Sequence, residues 1–371
     1  MESSSNIVPF NDLSRTPPEL AREVEAAVAR VLASGWYVLG PEHEAFGGEL
    51  ADYLGTRHVV LLGNGTDALE LGLAALGVGT GDRVVTVANA GAYSTVAMRL
   101  LGATPLFADV AADTHLMTPE TFEAALASAA ERPRAVVVTH LYGAIADIEG
   151  IVAIARRHGI AVLEDCAQSL GARREGRLAG TVGDIATTSF YPTKNLGAIG
   201  DGGAVITDDP ELADAVTRMR QYGWSSKYRI EFDHGRNSRL DELQAAVLRV
   251  RLPYLDSWNE RRRAIHSTYE QATSSLVHSA TEPFIAHLAV AVSTDRDGVR
   301  DRLKRAGVTT DVHYPVPDHH QAFPNAIGSV SLPVTEMLAD QVFSLPMFPE
   351  LTESEIDRVC AALQTVESRL G

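Results

Sequence analysis

Three short stretches hold residue types that could do chemistry together. Lys194 is the sole basic residue of "SFYPTKNLGAIGDGGAVIT" (189–207), set between a short apolar run and a turn carrying Gly200, Gly202 and Gly203. A lysine partly withdrawn from water has a lowered pKa and attacks carbonyls. Asp165 closes the apolar run "IAVLED" (160–165), and Gln168 follows three residues later. A carboxylate buried at a strand end needs a cationic or hydrogen-bonding partner. The third stretch, "GNGTDALEL" (63–71), leads from small residues into an apolar-periodic helix. The first N–H groups of such a helix and its dipole suit a phosphate. There Gly65 allows close backbone approach and Thr66 adds a hydroxyl. Each stretch also has an ordinary reading: Asn64 or Thr66 as a helix cap, Asp165 as another cap, Lys194 as a flexible surface residue. The Gly-Lys-Ser/Thr signature of a Walker A loop is missing.

These residues fall where an open α/β sheet gathers its ligands. Apolar runs at 58–62, 83–87, 104–110, 134–143 and 160–165 alternate with helical segments. That rhythm predicts a mostly parallel sheet covered on both faces. Runs 185–191 and 202–208 add two strands joined by the glycine-rich turn. In such sheets ligands sit at the carboxyl ends of the strands, which is where the three stretches lie. Leu20, Val24, Val28, Val31 and Leu32 predict an N-terminal helix ended by Gly35. A long helical pattern covers 238–263, with Pro253 as its kink or break. Beyond about residue 260 the rhythm changes. Segments 286–292 and 308–315, a helix near 297–306 and a closing helix from about 352 predict a smaller α/β domain. The expected domains are 1–260 and 261–371.

Composition narrows the classes. With 371 residues, 45% of them hydrophobic, the chain can bury a substantial core. Its net charge of −16 repels nucleic acid and anionic membrane. Cys166 and Cys360 form no metal or disulfide spacing, and no metal is expected. "MESSSNIVPFNDL" lacks the basic and apolar regions of a signal peptide, and no run reaches the length of a membrane span. A cytoplasmic protein is expected.

A helix-start phosphate site, a strand-end aspartate and a nucleophilic lysine on successive loops are the parts that hold pyridoxal 5'-phosphate. The lysine forms the Schiff base, the aspartate keeps the ring nitrogen protonated, and the helix start takes the phosphate. The chain resembles the sugar aminotransferases of the DegT/DnrJ/EryC1/StrS family. The resemblance runs from "VPFNDL" through "GNGTDALEL", "EDCAQSLGA", the Lys194 stretch, "NSRLDELQAAVLRVRL" and "HYPVP" to "FSLPMFPEL". It implies the fold of aspartate aminotransferase (fold type I), with a large domain around a seven-stranded sheet and a small C-terminal domain. It also implies a homodimer with active sites at the interface. By this resemblance Lys194 carries the cofactor and Asp165 pairs its ring nitrogen. Gln168 contacts its phenolic oxygen, and Gly65, Thr66 and Ser189 bind its phosphate. Asn237 reaches that phosphate from the other subunit. Family members stack an aromatic on the ring near "ANAGAYST"; here the aromatic is Tyr93, a residue or two displaced. Relatives with histidine in place of the lysine are dehydratases, so Lys194 favours transamination.

Six basic residues and two acids between Arg218 and Arg239 leave a local charge of +4 in an acidic chain. That suggests an anionic ligand such as a nucleotide diphosphate, or alternatively a solvated loop or an intersubunit salt-bridge cluster. Candidate substrate contacts are Lys227, Tyr228 and Arg239 in this run, Tyr191 beside the lysine, and His313, Tyr314 and His319 in "HYPVPDHH". The histidines could equally be loop structure. The overall pattern most resembles the branch that aminates C3 of dTDP-3-keto-6-deoxyhexoses in antibiotic sugar pathways, with L-glutamate as donor. The branches that aminate C4 or keto-inositols share the same core. A non-catalytic regulatory homologue is the remaining alternative.

Overall fold

A computed structural model describes residues 7–323 and 330–367. Its centre is a seven-stranded sheet. The strands are β1 (His58–Leu62), β2 (Arg83–Val87), β3 (Thr104–Ala108), β4 (Ala135–Thr139) and β5 (Ala161–Asp165), followed after a short hairpin, β6 (Arg173–Arg174) and β7 (Arg177–Leu178), by β8 (Ile185–Ser189) and β9 (Gly203–Thr207). They lie in the order β1-β9-β8-β5-β4-β2-β3, and β9 alone runs against its neighbours. All five residues of β4 are buried, as a strand covered on both faces requires. Alternation sorts side chains between two apolar layers. Val84, Ala135 and Val137 face one layer, and Val85, Val136 and Val138 the other.

Helices α1 (Pro18–Ser34), α2 (Pro41–Leu54), α3 (Gly65–Ala75), α4 (Tyr93–Leu100), α5 (Pro119–Ser128), α6 (Ile148–His158) and α7 (Pro210–Met219) precede or follow the strands. Gly35 ends α1 at φ 66, a left-handed cap that glycine adopts without strain. The sequence predicts a strand through residue 143, but β4 stops at Thr139. There His140 turns aside to pair with Glu164, and the chain bends through Tyr142 at φ 61.

Hairpin β10 (Trp224–Ser226) and β11 (Arg229–Ile230) projects before α8 (Glu242–Arg251). Pro253 falls in a 3-10 turn between α8 and α9 (Leu255–Glu270), as its missing N–H dictates. α9 crosses residue 260 unbroken. The remainder holds β12 (Ala289–Val292), α10 (Arg296–Arg305), α11 (Pro333–Gln341), β13 (Val342–Leu345) and α12 (Glu353–Glu367). β12 pairs antiparallel with β13, whereas the 308–315 segment makes only isolated bridges, Val308 to Val8 and Asp311 to Ser344. Arg15 clasps Glu355 at 2.8 Å, tying the N-terminal segment to α12. Among the described residues no helix is long and apolar enough to cross a membrane.

Candidate active site

A cavity of about 780 Å³ opens at the carboxyl ends of β1, β5 and β8. Lys194, Asp165 and Gln168 line it, together with Gly65, Thr66 and Ser189. Tyr93, Tyr191, His313 and Tyr314 complete the set of expected residues that meet there.

The phosphate end is built from the start of α3. Asn64 is the cap: its side chain accepts from Asp67 N at 2.8 Å. The N–H groups of Gly65 and Thr66, one turn too early for helix bonds, make no hydrogen bond among the described residues. A Cβ on Gly65 would lie 2.7 Å from Ser189 Cβ, so only glycine lets the β8 hydroxyl stand beside these donors. Gly203 is equally constrained, because its Cβ would meet the Asn64 carbonyl.

The opposite end is built from β5 and the loop after β8. Asp165 is buried and accepts from Ala167 N at 3.1 Å. Burial pushes its carboxyl up, opposed by the Ala167 N–H and the charge of Lys194. Burial brings the Lys194 ammonium down to about 8, with Asp165 acting in the other direction. Beneath them His140 Nδ1 accepts from Ala146 N at 3.2 Å, so its Nε2–H donates to Glu164 at 2.9 Å. Burial of Glu164 is outweighed by His140 and the N–H groups of Gly183 and Val182, which hold that carboxylate below its usual range. The floor under Asp165 is therefore a fixed, fully bonded layer.

Gln168 joins the two parts of the chain. Its Oε1 accepts from Tyr142 N at 2.6 Å, and its Nε2 donates to the Tyr314 hydroxyl at 3.1 Å. Tyr142 in turn donates to the His313 carbonyl at 2.6 Å. The ring of Tyr93, half exposed in the cavity wall, meets Tyr314 edge-on at 6.3 Å.

Residues 18–364 match the DegT/DnrJ/EryC1/StrS aminotransferase family. The chain belongs to that family. It is 43% identical to the dTDP-3-amino-3,4,6-trideoxy-alpha-D-glucose transaminase of Streptomyces venezuelae, over 98% of this chain and 97% of that one. It is 43% identical to the erythromycin biosynthesis sensory transduction protein EryC1 of Saccharopolyspora erythraea, over 96% and 99%. Among solved structures it superposes on S. venezuelae DesV in complex with a ketimine intermediate, with a TM-score of 0.92 and 42% identity, covering 98% of this chain and all of that one. The protein is thus a pyridoxal-phosphate-dependent aminotransferase of the expected α/β fold.

The cavity of this aminotransferase fits its cofactor. The N–H groups of Gly65 and Thr66, unpaired among the described residues, and the hydroxyls of Thr66 and Ser189 meet the needs of a phosphate. The strand-end carboxylate is suited to a protonated ring nitrogen, and burial brings the lysine ammonium down to about 8, so that a far larger share of it is the neutral, attacking amine than in an ordinary surface lysine.

Other expected residues of this aminotransferase lie outside the cavity of their own chain. Asn237 is exposed beside Gln221, while its neighbour Ser238 turns inward and accepts from Gly63 N at 3.0 Å. Lys227 and Tyr228 sit at the exposed tip of the β10–β11 hairpin. Arg239 makes no ion pair among the described residues. His319 binds Glu336 at 3.2 Å. Most of the basic run is engaged within the chain: Arg218 with Asp214, Arg229 with Glu231, Arg236 with Asp67 and Glu70, and Arg220 with the Leu61 carbonyl. Phe10, Asn11 and His287 line the cavity unforeseen. "VPFNDL" carried a signal for the first two. His287, ahead of a buried strand, carried none.

Proposed function

We propose that this aminotransferase transfers the amino group of L-glutamate to C3 of a nucleotide-linked, dTDP-bearing 3-keto-6-deoxyhexose, in the making of an antibiotic amino sugar in the cytoplasm. The observation that carries this reading is the 43% identity, over almost the full length of both chains, to a transaminase named for a dTDP-3-amino sugar. C4-aminating and inositol-aminating activities draw on the same core residues.

Each residue then has a task. Bound pyridoxal phosphate supplies the electron sink. Gly65, Thr66 and Ser189 hold its phosphate, and Asp165 keeps a proton on the ring nitrogen. Gln168, held by Tyr142, would contact its phenolic oxygen, and Tyr93 would help hold its ring. Lys194 would act as general base and carry a proton to and from the donor's α-carbon. Tyr191, His313 and Tyr314 face the sugar.

We read the protein as a homodimer of two-domain chains, 1–260 and 261–371, with α9 as the link. The exposed Asn237, Lys227 and Tyr228 suit a site completed by the second subunit, and Arg239 suits its nucleotide side, whereas the buried side chain of His319, held by Glu336, does not. A regulatory reading draws on EryC1, which is named as a sensory transduction protein. Turnover separates the two. Glutamate should bleach the cofactor's colour, and a dTDP-linked 3-keto-6-deoxyhexose should restore it with release of the amino sugar. Failure of every keto sugar to restore it would favour regulation. Equal action by the free sugar would remove the nucleotide from recognition.

A further inference from the structure

We propose that Asp318 is the positioning residue for Tyr93, fixing from the C-terminal part of the chain the cavity wall that Tyr93 forms. Its consequence for the cofactor rests on the aminotransferase reading; its geometry does not.

Helix α4 begins at Tyr93, and the residue at its cap is Ala92, which has no side-chain oxygen and sits at φ 64. Non-glycine residues hold that conformation only where the surroundings impose it. An anchor for this helix start is supplied from 226 residues away. Asp318, 1% exposed in the 3-10 turn Asp318–His320, accepts from Ala92 N at 2.9 Å and from the Thr95 hydroxyl at 2.6 Å. Its own N–H donates to the Ala88 carbonyl at 2.8 Å, so three bonds join this turn to the approach and first turn of α4. Gly91 is wedged between the rings of Tyr314 and Tyr93, which a Cβ there would touch at 2.8 and 2.9 Å. The position of the Tyr93 ring therefore depends on the turn that follows Tyr314. Asp318 makes no ion pair among the described residues, and burial pushes its carboxyl up to about 7. A buried carboxylate without a cation is costly, and an apolar side chain would avoid that cost. What the carboxyl contributes here is two directed acceptors.

The test uses the whole enzyme labelled with fluorotyrosine, the Tyr93 resonance being assigned by its loss in Tyr93→Phe. In Asp318→Ala the Tyr93 resonance should shift and pyridoxal phosphate should bind about tenfold more weakly, the effect of losing one to two net hydrogen bonds. Asp318→Asn keeps the acceptor for Ala92 N and offers an amide N–H to the Thr95 oxygen, reversing that bond but keeping the link, so both readings should return to wild type. With Tyr93→Ala already present, Asp318→Ala should cost no further affinity. An unmoved resonance in Asp318→Ala, or equal loss of affinity with and without the Tyr93 ring, would overturn the proposal. If Asp318→Ala does not fold, Thr95→Val removes one of the two bonds and is read the same way. Should wild type bind no pyridoxal phosphate, the aminotransferase reading falls, and the Tyr93 resonance alone decides the positioning role.

Discussion

The carboxylate of Asp165 opposes, without cancelling, the discharge that burial imposes on Lys194, and the ammonium is left at about 8. Only the neutral amine attacks a carbonyl. The rate of cofactor incorporation into the empty protein should therefore climb ~tenfold per pH unit and level off above about 8. Asp165→Asn removes the opposing charge and should move that midpoint to lower pH. Stopped-flow absorbance across pH 6 to 10 reads both; a rate still climbing at pH 10, or a midpoint that Asp165→Asn leaves unmoved, contradicts the coupling.

Asp165→Asn should also damage turnover more than binding. Without a carboxylate at the ring nitrogen the electron sink is weakened, by several kcal/mol or roughly a thousandfold in rate. Single-turnover measurement with glutamate, compared with the dissociation constant of the cofactor, checks this. Near-normal turnover would remove Asp165 from its role.

Asp318 makes a prediction about stability. Its carboxyl is raised from 3.8 to about 7 in the folded protein, so the folded state holds a proton that the unfolded chain gives up. Stability contributed by this group falls as pH rises from about 4 to about 7 and is flat above, a cost of order 4 kcal/mol. Asp318→Asn escapes it. The variant should be more stable than wild type at pH 8, with the difference shrinking towards pH 5, as read by denaturant unfolding. A variant less stable at pH 8, or a difference independent of pH, speaks against a buried carboxyl of this kind.

A shared site predicts complementation. Lys194→Ala should be inactive. Asn237→Ala should bind cofactor more weakly by about 1.5–3 kcal/mol, the worth of a charge-assisted hydrogen bond to phosphate. In a mixed dimer one site takes both defects and the other takes Lys194 from one chain and Asn237 from its partner. Random exchange should give about half the dimers one intact site. If mixing restores no activity at limiting cofactor, Asn237 does not cross between subunits.

The sheet was legible because parallel strands buried on both faces are written as continuous apolar runs, and because residues at their carboxyl ends follow directly in sequence. Asp165, Gly65 and Lys194 could be found that way. Partners distant in sequence were not legible. The basic run reads as free charge until Asp67, Glu70 and Asp214 are seen to take it up. The end of β4 depends on a bond between His140 and Glu164 that no local pattern announces. Asp318 looks like a loop residue and proves to anchor the start of a helix that begins at Tyr93.

On the proposed chemistry Lys194 is the residue to which the cofactor is joined. Incubation with pyridoxal phosphate, reduction with borohydride and peptide mapping test it directly. A yellow protein and one reduced, cofactor-labelled peptide, with the label on Lys194, are expected. A colourless protein, or a label on any other lysine, would contradict it.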